Sequence, residues 1–124
     1  MRRALIVDDD PDVRDTIAAM LMAAGYDVVD PGSAAAALSF IASQPFDVVI
    51  TDVLMPEVDG VAIVQAVRKV GPRCRVIAIS GGSSGMPAAI GLRLTEAFGA
   101  DAVLYKPFSR AELLAAVNGQ APAP

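Results

Sequence analysis

The chain has 124 residues, 54% of them hydrophobic but only 5% aromatic, with a formal charge of −4 at pH 7. That length fits one domain with a real core, which excludes intrinsic disorder, and the acidic balance argues against direct nucleic-acid binding, which needs clustered Lys and Arg. The chain has no histidine and one cysteine, Cys74, so imidazole catalysis, zinc sites built on His or thiolates, and internal disulfides are excluded.

Ala4-Leu5-Ile6-Val7 reads as a buried strand. A helix follows over Pro11 to Ala24, with Val13, Ile17, Met20, Leu21 and Ala24 on one face, Asp10 as its cap and Gly25 at its end. Tyr26 to Val29 is a second strand, and Ser33 to Ser43 an Ala-rich helix with Leu38 and Ile41 inward. Val48-Val49-Ile50-Thr51 lacks polar alternation, as expected of a strand covered on both faces. Residues 52–60 form a turn, Val61 to Val70 a helix ended by Gly71-Pro72, and Val76 to Ile79 a fourth strand. After a loop over Ser80 to Gly85, a helix is expected beyond Pro87, then a fifth strand over Ala102 to Tyr105. Ser109 and Glu112 make a capping box for the last helix. The domain is expected to cover 1–119, with 120–124 a flexible tail. The longest apolar run, Ile17 to Ala24, is far short of a membrane span, so neither insertion nor a secretory leader is expected. The lone cysteine suits a reducing cytoplasm.

Strands alternating with helices predict an α/β fold, a five-stranded parallel sheet with helices on both faces. In such sheets the binding crevice lies beyond the carboxyl ends of the strands. Here those ends carry Asp8-Asp9-Asp10, Thr51-Asp52, Ser80 and Tyr105-Lys106-Pro107. Carboxylates crowded together repel unless a cation intervenes. Magnesium, a hard dication that prefers oxygen, would with Lys106 balance Asp8, Asp9 and Asp52. Such a pocket suits phosphoryl transfer, in which a carboxylate can itself be the nucleophile. Each residue also has a plainer reading. Asp10 reads as a cap rather than a ligand, and Asp12 and Asp15 as a solvated first turn. Asp8 and Asp9 could be loop acids, Ser80 a loop serine and Lys106 a surface lysine. Asp59-Gly60 reads as turn chemistry, and Cys74 as incidental.

Taken together, Leu5-Ile6-Val7-Asp8-Asp9-Asp10-Pro11, Asp47-Val48-Val49-Ile50-Thr51-Asp52-Val53-Leu54-Met55-Pro56-Glu57-Val58-Asp59-Gly60, Val76-Ile77-Ala78-Ile79-Ser80-Gly81 and Gly99-Ala100-Asp101-Ala102-Val103-Leu104-Tyr105-Lys106-Pro107-Phe108 resemble the receiver domain of two-component response regulators. The resemblance implies a doubly wound, flavodoxin-like (CheY-like) sheet of order 2-1-3-4-5. It makes Asp52 the phosphoacceptor, Asp9 the direct Mg2+ ligand, and Asp8 a partner acting largely through water. The Leu54 backbone carbonyl would also bind the metal. Ser80 would bond the phosphoryl group, and Lys106 would pair with its oxygens, across a cis bond to Pro107. The phosphate would come from a sensor histidine kinase or phosphotransfer protein, which fits the absence of His here.

Three departures from the family stand out. The usual switch aromatic is replaced by Val103, with Tyr105 on the same side if the strand stays regular. The stretch from Ser80 to Lys106 is longer than usual and glycine-rich, and is expected to be mobile or specialised and to form part of the output surface. Leu54 and Gly82 stand where the family tunes dephosphorylation; an apolar Leu cannot position water, so slow autodephosphorylation is expected. The chain reads as a stand-alone receiver that signals to a downstream protein target. The alternatives are a receiver taken from a longer hybrid kinase or regulator, an interaction module working without phosphorylation, and a magnesium phosphatase. The last is disfavoured because Leu54 occupies the place of its general acid.

Overall fold

Short β-branched runs separated by amphipathic stretches fold as that alternation dictates. The computed structural model describes residues 2–52, 60–70, 73–80 and 99–119, and only the backbone of Val61 and Ser80. Along the chain lie β1 (Arg3–Val7), α1 (Pro11–Ala23), β2 (Asp27–Val29), α2 (Ala34–Ser43), β3 (Val48–Asp52), α3 (Gly60–Val70), β4 (Arg75–Ser80), β5 (Ala102–Tyr105) and α4 (Arg110–Val117). The turn after Asp52, Gly71-Pro72, the glycine-rich loop, the helix expected beyond Pro87 and the C-terminal tail lie outside the described residues.

The strands pair in parallel in the order β2-β1-β3-β4-β5, as expected. Alternate side chains feed two cores. Ala4, Ile6, Val48, Ile50, Ile77, Ile79 and Leu104 pack with Ile17 and Leu21 of α1 and Leu113 of α4. Leu5, Val7, Val49 and Val76 pack with Ala37 and Ile41 of α2 and with Ile63, Val64 and Val67 of α3. Every residue of β3 is buried, so the central strand has no solvent-exposed face.

Cap chemistry sets the helix ends. The Asp10 carboxylate accepts the Asp12 amide at 2.9 Å, and Pro11 fills the first turn, where its missing N–H costs nothing. The capping box of α4 is formed, the Ser109 hydroxyl accepting the Glu112 amide at 3.1 Å and the Glu112 carboxylate accepting the Ser109 amide at 3.0 Å. Two assignments differ in detail. Ala24 is exposed, because it is the C-cap and the helical face no longer continues through it. Tyr26 precedes β2 rather than opening it, because its amide still donates to the Leu21 carbonyl. Its ring is buried, and its hydroxyl donates to Asn118 Oδ1 at 2.9 Å.

Arginines tie down the amino-terminal edge of the sheet. Arg68 donates to the carbonyls of Cys74 (2.6 Å) and Gly99 (2.9 Å), and Arg75 to that of Ala116. No helix among the described residues is long and apolar enough to cross a membrane.

Candidate functional site

Strand parity brings the site together. Asp8 continues the alternation of Ala4 and Ile6, Asp52 that of Val48 and Ile50, and Lys106 that of Ala102 and Leu104, all residues of one core face. Because β1, β3, β4 and β5 run parallel and in register, these side chains meet at the carboxyl-terminal edge of the sheet. Lys106 Nζ lies 3.3 Å from Asp8 Oδ2 and 3.6 Å from Asp52 Oδ2. Carboxylate oxygens of Asp8, Asp9 and Asp52 all lie within 4.8 Å of one another. Asp8 and Asp52 are buried, while Asp9 is exposed. Asp8 Oδ1 also accepts the Asp10 amide at 2.9 Å, which fixes the carboxylate at the strand end.

Burial and charge act on the group together. Burial pushes the Asp8 carboxyl above its usual range, and the Asp10 amide and Lys106 only partly offset this. Burial alone would lower the Lys106 ammonium, but the carboxylates of Asp52 and Asp8 outweigh it, so its pKa is raised and it stays charged at neutral pH. Among the described residues, the Lys106 ammonium pairs with two of the three carboxylates, those of Asp8 and Asp52. The donor set is entirely carboxylate oxygen and suits a hard dication that keeps part of its water shell.

The chain matches the response regulator receiver domain family over residues 4–118. The chain belongs to this family. The response regulator receiver protein CpdR of Brucella abortus is 32% identical over 115 residues, covering 92% of each chain. The chain spans about half of the MprA response regulators it also matches, 47% of the one from Mycolicibacterium vanbaalenii. Among solved structures, the Vibrio cholerae chemotaxis protein CheY4 is 29% identical with a TM-score of 0.83, covering 98% of this chain and 99% of that one. The receiver domain of the sensor histidine kinase PA1611 from Pseudomonas aeruginosa, 27% identical with a TM-score of 0.80 over 95% of each chain, carries a magnesium ion coordinated in its active-site cleft. Receiver domains belong to two-component signal transduction, where they meet histidine kinases and downstream targets.

In this receiver the Lys106–Pro107 bond is cis. Ser80 ends β4, its backbone paired with Tyr105; Leu54 and Gly82 lie outside the described residues. β5 stays regular through Tyr105, which is 52% exposed, whereas Val103 is half-buried against Ala78. Cys74 is half-buried, and burial raises its thiol to about 11, so it offers no reactive thiolate. A cleft of about 310 Å³, lined by Val13, Thr16, Ile17, Met20, Pro107 and Phe108, opens beside Lys106. A cavity of about 450 Å³ at the opposite edge, lined by Ile41, Phe46, Val67 and Cys74, has no part in the acid group. Two residues near the acid loop were not singled out from the sequence. Arg14 of α1 donates from Nη1 to the Asp8 carbonyl at 3.0 Å, and its Nε lies 2.9 Å from Asp30 Oδ1. An Arg six residues after Asp8 looks like one more solvated helix charge, and Asp30 falls in a loop of its own.

Proposed function

We propose that this receiver accepts a phosphoryl group on Asp52 from a phosphohistidine of a sensor histidine kinase or phosphotransfer protein, then signals through a surface read by a downstream protein. The observation that supports this best is the buried Asp52 carboxylate facing Lys106 Nζ at 3.6 Å within the group of three carboxylates. Asp9, Asp8, Asp52 and the Leu54 carbonyl would hold Mg2+, which when bound supplies positive charge for phosphoryl oxygens. An Asp52 carboxylate oxygen attacks phosphorus. The P–O bond forms as the P–N bond breaks, and the imidazole leaves with its electron pair and takes up a proton. Lys106 pairs with the charge on the phosphoryl oxygens. The Ser80 hydroxyl donates to one of them and carries the switch. With Leu54 in place of a water-positioning side chain, hydrolysis is slow. The unit doing this spans 1–119 and works in the cytoplasm.

The test uses the protein with Mg2+ and acetyl phosphate, read by intact mass. The native chain gains one phosphoryl group and Asp52→Asn gains none. Absence of modification in the native chain favours an interaction module, and repeated release of inorganic phosphate from many esters favours a phosphatase.

A further inference from the structure

The peptide between Asp8 and Asp9 lies beyond the last ladder residue of β1, Val7, so the sheet no longer fixes it. Its carbonyl is held by Arg14 Nη1 at 3.0 Å. The same guanidinium is held from the far side by Asp30, with Nε at 2.9 Å from Oδ1 and 3.2 Å from Oδ2. Asp30 is in turn fixed by the Gly32 amide, which donates to Oδ1 at 3.2 Å. The Arg14 side chain is only 16% exposed, so this is a seated fork rather than a loose surface pair. Asp9, the next residue, is exposed, and its carboxylate makes no hydrogen bond or ion pair among the described residues. Its direction therefore depends on the peptide plane that Arg14 holds.

We infer that Arg14, anchored by Asp30, is a positioning residue for the cation site: it locks the Asp8–Asp9 peptide so that the Asp9 carboxylate stays within reach of Asp8 and Asp52. This rests on the proposed reading of the acid group as a Mg2+ site. Supporting partners of this kind change metal affinity about 10- to 100-fold when removed.

The sign of the effect separates positioning from plain charge. Arg14 is a cation near a cation site, so on Coulomb grounds alone Arg14→Ala would tighten Mg2+ binding and Arg14→Lys would leave it unchanged. Positioning gives the reverse. Lysine keeps the charge but has no fork to bridge a carbonyl and a carboxylate at once. The measurement is a calorimetric titration of the full chain with Mg2+ alone, for the native protein, Arg14→Ala and Arg14→Lys, with thermal melts in EDTA confirming that each variant is folded. Both variants are expected to bind Mg2+ roughly 10-fold more weakly. Labelling of Asp52 by acetyl phosphate should fall at low Mg2+ and recover when Mg2+ is saturating. Should Arg14→Ala be lost to misfolding, Arg14→Lys carries the test alone. Unchanged or tighter binding in a folded variant overturns the inference and leaves the functional reading standing. A native chain that neither binds Mg2+ nor takes up phosphate overturns both.

Discussion

At Asp8, burial and charge oppose each other. Its carboxyl is pushed up by burial, so in the metal-free protein the ionised form is a cost that the unfolded chain does not bear. A raised native pKa means that the group's stabilising contribution is present below its unfolded pKa and is lost as pH rises through the native one. Asp8→Asn mimics the protonated form and keeps an oxygen for the Asp10 amide. It should therefore stabilise the metal-free protein at pH 7 and raise its Tm. The gain should shrink as pH falls through the native Asp8 pKa, because the native chain then protonates too. Melts in EDTA at pH 7 and pH 4 check this, and Mg2+ should raise the Tm of the native chain more than that of Asp8→Asn. At Cys74 burial outweighs the nearby Arg68 charge, which alone would lower the thiol, and the Asp101 and Asp47 carboxylates add to the rise. With its thiol raised from 9.0 to about 11, alkylation at pH 8 should run roughly 100-fold slower in the folded protein than in urea. A mass-resolved iodoacetamide time course measures the ratio.

At the scale of elements, α1 serves the site in three ways. Asp10 caps its start beside the acid loop, Arg14 reaches back to the Asp8 carbonyl, and Val13, Ile17 and Met20 wall the cleft beside Lys106. Under the proposed transfer, that cleft beside Lys106 would border the path of the incoming phosphohistidine, and its apolar walls suit a helix of the donor protein. Thr16 lines it while remaining exposed, so Thr16→Tyr narrows the cleft without touching the core. Transfer from a phosphorylated kinase or phosphotransfer protein should fall about 10-fold in this variant, while labelling by acetyl phosphate stays at the native rate. Equal rates from the protein donor would remove α1 from the docking surface. The ends of α1 were legible because Asp-Pro and Gly are local chemistry. Tyr26 was misplaced because its amide answers to the end of α1 and its hydroxyl to Asn118, 92 residues away.

At the scale of the molecule, strand register builds the site. Parallel strands in register put every second residue of each strand on one face, so Asp8, Asp52 and Lys106 converge although far apart in the chain. This much could be read from the residues, because strand ends in an alternating α/β pattern point to one edge. Arg14 and Asp30 could not, because their pairing depends on the packing of α1 beside β2, which leaves no mark on either residue's neighbours. Asp52, among carboxylates gathered for a dication, is the proposed nucleophile and phosphoacceptor. Reducing the acetyl phosphate-treated protein with borohydride converts an aspartyl phosphate into homoserine, which peptide mass spectrometry locates. The account predicts homoserine at position 52 alone, formed with Mg2+ and lost in EDTA. Homoserine at Asp8 or Asp9, or equal labelling in EDTA, would contradict it.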